Sequence, residues 1–172
     1  MNKHLIPKNE FAALLQALKP AKTQKQDERN KAWFAFAEKL LVGWNGVSLS
    51  AALSPLTPGQ SALVCCARFC REAEYDFLTS LTDSPLPTLA SKAFVTIHAQ
   101  EYLDLLQQLQ LVFPGKEFPE FAEDMLSALR KQPKGYFDNM VEKFVTGKGM
   151  KRAICDYLHD YMAVHPNEFC SL

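Results

Sequence analysis

The apolar residues of this 172-residue chain recur at intervals of three and four, and its prolines and few glycines stand between the apolar runs. That spacing places apolar side chains along one face of an α-helix. Alternation at every second residue, the mark of a half-buried strand, is nowhere sustained. Between residues 27 and 44 the stripe is Trp33, Ala37, Leu40, Leu41 and Trp44, with Gly43 and Gly46 closing the helix. Tyr102, Leu105, Leu106, Leu109, Val112 and Phe113 form another, stopped at Pro114-Gly115 because proline has no amide hydrogen to continue the ladder. Phe121, Met125, Leu126 and Leu129 give a third face, ended by Pro133. A short helix over 137–144 follows, and a last one runs from about Met150, with Ile154, Tyr157, Leu158, Tyr161 and Met162 inward, to Pro166.

The clearest start signal is Thr57-Pro58-Gly59-Gln60. It sets a hydroxyl at the N-cap, proline at the first helical position, and a glutamine that can return a hydrogen bond to the cap. The long helix it opens buries Ala62, Cys66, Phe69, Cys70, Ala73 and Phe77, and turns Arg68, Arg71, Glu72 and Asp76 outward. Elements of one kind joined by short connections pack as antiparallel neighbours. The expected fold is all-α, an irregular bundle of seven or eight helices in a single domain. Residues 1–26 are expected to be an N-terminal helical arm (11–18) with a polar linker (19–26), and 27–172 the helical domain.

Composition narrows the function classes. Apolar residues at 48% and charged residues at 22% suit a chain that folds by itself, which at this length buries roughly 70% of its extended surface. No stretch approaches the run of about eighteen apolar residues a membrane helix needs. Five cysteines, an odd number with Cys65 beside Cys66, point to a reducing, cytoplasmic setting. Nineteen basic residues balance nineteen acidic ones, so no global field draws the chain to nucleic acid. The charges are unevenly spread: residues 57–133 hold ten acids against six bases. Two acidic sets stand out, Glu72, Glu74, Asp76 and Asp83 at the end of the long helix, and Glu117, Glu120, Glu123 and Asp124 at the start of another. They read as a docking face for a basic protein partner, with Tyr75 or Phe118 as an aromatic anchor.

Chemical motifs are sparse. Cys155 and His159 share a helix face and His165 follows, the germ of a metal site that lacks further ligands. Cys65, Cys66 and Cys70 sit near Arg68 and Arg71, but two of them share the buried face. His98 and Glu101 are helical neighbours with no nucleophile beside them, and no phosphate loop or paired-carboxylate pattern occurs. The basic run Lys19, Lys22, Lys25, Arg29 and Lys31 has no interleaved aromatic until Trp33, and reads as a solvated linker with no direct contact to nucleic acid. Neither an enzyme nor a cofactor is expected.

Four segments resemble the bacterial DNA-mimic-like family of small helical proteins, over about residues 56–169. They are Leu56-Thr57-Pro58-Gly59-Gln60 before the long helix, Ile97-His98-Ala99-Gln100-Glu101-Tyr102 at a helix start, Leu111-Val112-Phe113-Pro114-Gly115 at a helix end, and Tyr161 with His165-Pro166-Asn167-Glu168-Phe169 near the C-terminus. Where the family has an Asn-Gly-Gly-Phe-like turn, this chain has Glu74-Tyr75-Asp76-Phe77. The resemblance implies a non-catalytic binding protein: some relatives imitate the charge of DNA to occupy a DNA-binding protein, and similar domains act as immunity proteins against bacterial toxins. An inhibitor of a toxin or effector is the first expectation. A DNA mimic is the alternative, and a metal-binding protein or enzyme the second.

Overall fold

A computed structural model describes residues 5–20, 26–42, 47–82, 85–119 and 122–170. Within them lie α1 (Lys8–Leu18), α2 (Gln26–Leu40), α3 (Leu49–Leu53), α4 (Pro58–Thr82), α5 (Leu86–Thr96), α6 (Gln100–Gln110), α7 (Ala122–Leu129), α8 (Tyr136–Thr146) and α9 (Ile154–Val164), with short 3-10 turns at Pro114–Lys116 and Pro166–Glu168. The protein is an all-α bundle. Its only extended pairing among the described residues is a single bridge between Ile6 and Cys170. Also among the described residues, no helix is long and apolar enough to cross a membrane.

The 25-residue α4 is the axis, touching α2, α5, α7, α8 and α9. It begins as its sequence dictates: Thr57 Oγ1 accepts from the Gln60 amide at 3.2 Å, and Gln60 Oε1 accepts from the Thr57 amide at 3.1 Å. Two otherwise orphaned backbone donors are thereby satisfied. Its inner face carries Phe69, fully buried, whose ring meets Phe144 of α8 edge-on at 5.1 Å and Phe94 of α5 at 6.2 Å. Tyr102 of α6 closes this aromatic centre at 5.8 Å from Phe94. Three consecutive helices and α8 are thus joined by rings that each bury a large apolar area.

The structure departs from the sequence expectation in four places. The segment expected as a separate arm packs into the common core: Phe11, Leu14 and Leu18 are buried, Phe11 stacks on Phe169 at 6.0 Å, and the Ile6 amide donates to Phe169 O at 3.0 Å. Arg29, expected in a solvated basic linker, is buried as well. It donates to Leu18 O through Nε (3.1 Å) and Nη2 (2.5 Å) and pairs with Asp156 on α9. A buried guanidinium holds its place only when its donors are used, and these three elements use them. The remainder of the expected linker, 21–25, lies outside the described residues.

Helix α9 starts at Ile154 and not near Met150, because Glu101 on α6 takes the Lys151 and Arg152 amides at 2.9 and 3.1 Å and holds them out of the helix. The fourth departure is α3, which raises the count to nine among the described residues; Ser48 caps it by accepting from the Ala51 amide. Helix α2 ends at Leu40, and Trp44, Gly43 and Gly46 lie outside the described residues.

Candidate functional site

One flank of α4 is not covered by the core. Val64, Ala67, Arg68, Arg71, Glu72 and Tyr75 follow one another at three- and four-residue steps and face Phe34, Ala37, Glu38 and Leu41 of α2 across a groove of about 370 Å³. The floor is small and apolar: Ala37 and Ala67 are buried, and their single methyl groups leave a hollow that larger side chains would fill. The rims are charged. Arg71 pairs with Glu38 across the groove, and Arg68 Nε donates to Glu72 Oε1 at 2.7 Å one turn along α4. Glu72 Oε2 is shielded from solvent and, among the described residues, has no hydrogen-bond partner, a state that costs about 1–3 kcal/mol for a buried polar atom.

Tyr75 stands at the open end, 79% exposed. Beyond it the groove runs into a second depression of about 400 Å³, which shares Phe34, Glu38, Arg71 and Tyr75 and adds Asn30, Lys31 and Glu74. Asn30 is fixed there by donating to Val145 O at 3.0 Å and accepting from Trp33 Nε1 at 3.2 Å. The result is an apolar trough with an exposed aromatic at one end and ion pairs along its edges.

Of the residues expected from sequence, Glu72, Glu74 and Tyr75 line this region together. Glu117 is exposed but lines neither depression, and Phe118 is half-buried with its ring 5.7 Å from that of Phe113. Glu123 and Asp124 are exposed on α7, Glu123 beside a separate shallow hollow lined by Leu126, Ser127, Arg130 and Lys131. The side chain of Asp76, and the whole of Asp83 and Glu120, lie outside the described residues. The described members of the two acidic sets therefore do not line one groove. Sequence reasoning missed Phe34, Ala37, Glu38 and Leu41. Their three-four spacing on α2 was visible, but nothing local indicates which part of a helical stripe faces a neighbour and which faces a gap.

The other candidates have structural work. Cys65, Cys66 and Cys70 are buried thiols; burial pushes Cys65 up to about 12 despite nearby Arg68, and pushes Cys66 and Cys70 further the same way. A thiol held protonated is a poor nucleophile. Cys155 is fully buried, while His159 leans on Asp160 with Nδ1 3.1 Å from Oδ1, and His165 lies past the helix end against Tyr161. Among the described residues, no three His, Cys, Asp or Glu side chains converge on a point that could hold a metal ion. Glu101 is no partner for His98, its oxygens being taken by Lys151, Arg152 and the Tyr157 hydroxyl. No protein-family model matches the chain, and no curated protein or solved structure does.

Two of the segments that carry the family resemblance meet in space. The Gly59 amide donates to Glu168 Oε2 at 2.5 Å, the Thr57 hydroxyl donates to Glu168 O at 3.0 Å, and Tyr161 Oη donates to Glu168 Oε1 at 2.9 Å. This junction pins the start of α4, and with it the groove, to the C-terminal turn.

Proposed function

We propose that this chain is a non-catalytic protein that binds another protein through the α2–α4 groove, most concretely an immunity or inhibitor protein that neutralises a bacterial toxin or effector by steric occlusion. The observation that carries the reading is the pairing of an apolar trough with Tyr75, a large aromatic left 79% exposed at its open end. Tyrosine buries much area for little lost rotamer freedom and is enriched among the residues that dominate binding energy. The unpartnered Glu72 Oε2 adds a chemical preference, since a cationic or N–H donor on the partner would satisfy it. A cytoplasmic setting is part of the proposal, being the compartment that keeps five unbridged cysteines reduced. DNA mimicry is less well supported. It calls for a row of uncompensated negative charge, whereas Glu38 and Glu72 at the groove are each matched by an arginine.

The test compares affinity capture by the wild-type protein and by Tyr75→Ala, followed by co-expression of any retained partner. Because Tyr75 is exposed, the variant should melt as the wild type does. It should release a specific partner about thirtyfold more readily, equivalent to a loss of about 2 kcal/mol. A retained protein whose toxicity is suppressed by the wild type and not by the variant is the expected outcome. Identical capture by both proteins refutes the groove as the binding surface.

A further inference from the structure

A second cavity, of about 310 Å³, lies on the outer face of α9 and shares no lining residue with the α2–α4 groove. Its walls come from three places that the fold brings together: His98 from the turn between α5 and α6, Arg152 from the segment before α9, and Tyr157, Tyr161 and His165 from α9 and its end.

His98 is the first clue. Its backbone sits in the left-handed region, φ +57°, where a side chain bearing a β-carbon is strained by roughly 1–2 kcal/mol and glycine is not. The chain nevertheless keeps an exposed imidazole there, on the rim of a largely apolar cavity. The second clue is that the remaining groups are already oriented. Tyr157 Oη donates to Glu101 Oε1 at 2.8 Å and Tyr161 Oη to Glu168 Oε1 at 2.9 Å, so both hydroxyls are tied down and the rings are fixed in the wall. The His165 ring lies on Tyr161 with centroids 4.4 Å apart. The Arg152 guanidinium sits 4.6 Å from the Tyr157 ring centroid and spends one of its five N–H donors on Asp160 Oδ2 at 2.6 Å. Ile97 and Val164 supply apolar surface between these groups. Preorganised aromatic faces, a guanidinium with donors to spare and two imidazoles make a recognisable set: the faces suit a flat ring and the donors suit an oxyanion.

We infer that this cavity binds a small aromatic acid, a planar ring carrying a carboxylate or a phosphate. The ring stacks among Tyr157, Tyr161 and His165, and the oxyanion takes N–H donors from Arg152, His98 and His165. Asp160, which also lines the cavity, takes one Arg152 donor and fixes the guanidinium, leaving its other N–H groups for the anion.

Isothermal titration calorimetry with benzoate and with phenyl phosphate tests this on the full chain, and the two probes separate the carboxylate from the phosphate form. One-site saturable binding of at least one probe to the wild type is expected. His98→Gly relaxes the strained backbone, so its melting temperature holds or rises while its affinity falls about tenfold or more. Arg152→Gln should lose binding as well. Absence of saturable binding for both probes overturns the inference, as does unchanged affinity in His98→Gly.

Discussion

Replacing Gly59 with alanine isolates how firmly the start of α4 is docked on the C-terminal turn. Alanine is the better helix former, by up to about 1 kcal/mol, and on propensity alone the variant should be more stable. The structure reverses the sign. A β-carbon at Gly59 would lie 2.8 Å from each of Glu168 Oε2, Phe169 Cζ and Tyr161 Cε1. The glutamate tip can swing aside, but doing so breaks its bond to the Gly59 amide, and a hydrogen bond to a charged group is worth about 1.5–3 kcal/mol. The Phe169 ring is fully buried and stacked on Phe11, so moving it costs a further 1–3 kcal/mol or so, as overpacking does. Set against the propensity gain, the net is a destabilisation of about 2–4 kcal/mol, and in a chain of this length a fall in melting temperature of about 5–15 °C. Urea unfolding followed by far-ultraviolet circular dichroism measures it directly. The double variant with Glu168→Ala should cost less than the two single changes added together, since both remove the same contact. A Gly59→Ala protein as stable as the wild type, or more so, refutes the docking argument.

Two further perturbations test the rest of the framework. Asp156→Ala leaves the buried Arg29 guanidinium without its carboxylate at the junction of α1, α2 and α9, and should cost about 3–5 kcal/mol in urea unfolding; a loss under about 1 kcal/mol would mean the pair is dispensable. Tyr157 and Tyr161 are both pushed up to about 12, first by burial and then by hydrogen bonds to Glu101 and Glu168. A phenol raised in the folded state contributes stability that is complete below the ordinary value of about 10 and is lost as pH rises from there to about 12, so thermal melting should decline over that window. A spectrophotometric titration in which these two phenolates form near pH 10 in the folded protein would contradict it.

The all-α class was readable because it rests on local chemistry. The reciprocal cap between Thr57 and Gln60 needs only four residues, and the stripe along α6 needs only its own spacing. Helix α3 was not readable, because five residues carrying Leu49, Ala52 and Leu53 are too few to show a period. The docking of α1 was hidden for a different reason. Phe11, Leu14 and Leu18 announce an apolar face, but the surface that covers it includes Phe169 at the other end of the chain. The late start of α9 is likewise set by Glu101, some fifty residues away.

The candidate site was half legible for a reason that bears on how it would work. Counting acids along the chain measures charge before pairing, and folding spends much of it: Glu101 on two amides and a phenol, Glu168 on an amide and a phenol, Glu72 on Arg68, Glu38 on Arg71. What remains at the groove is close to neutral, with an apolar floor and an exposed tyrosine. Long-range steering requires unpaired charge of one sign and fades over about 10 Å at 0.1 M salt. Short-range burial of an aromatic anchor requires none, and acts after encounter, by slowing dissociation. Of the acidic residues that first drew attention to α4, Glu72 is matched by Arg68 and helps hold the groove's edge in place. If the proposed groove binds a protein, Tyr75 and the alanine floor should set the lifetime of that complex, and salt should change its rate of formation only modestly.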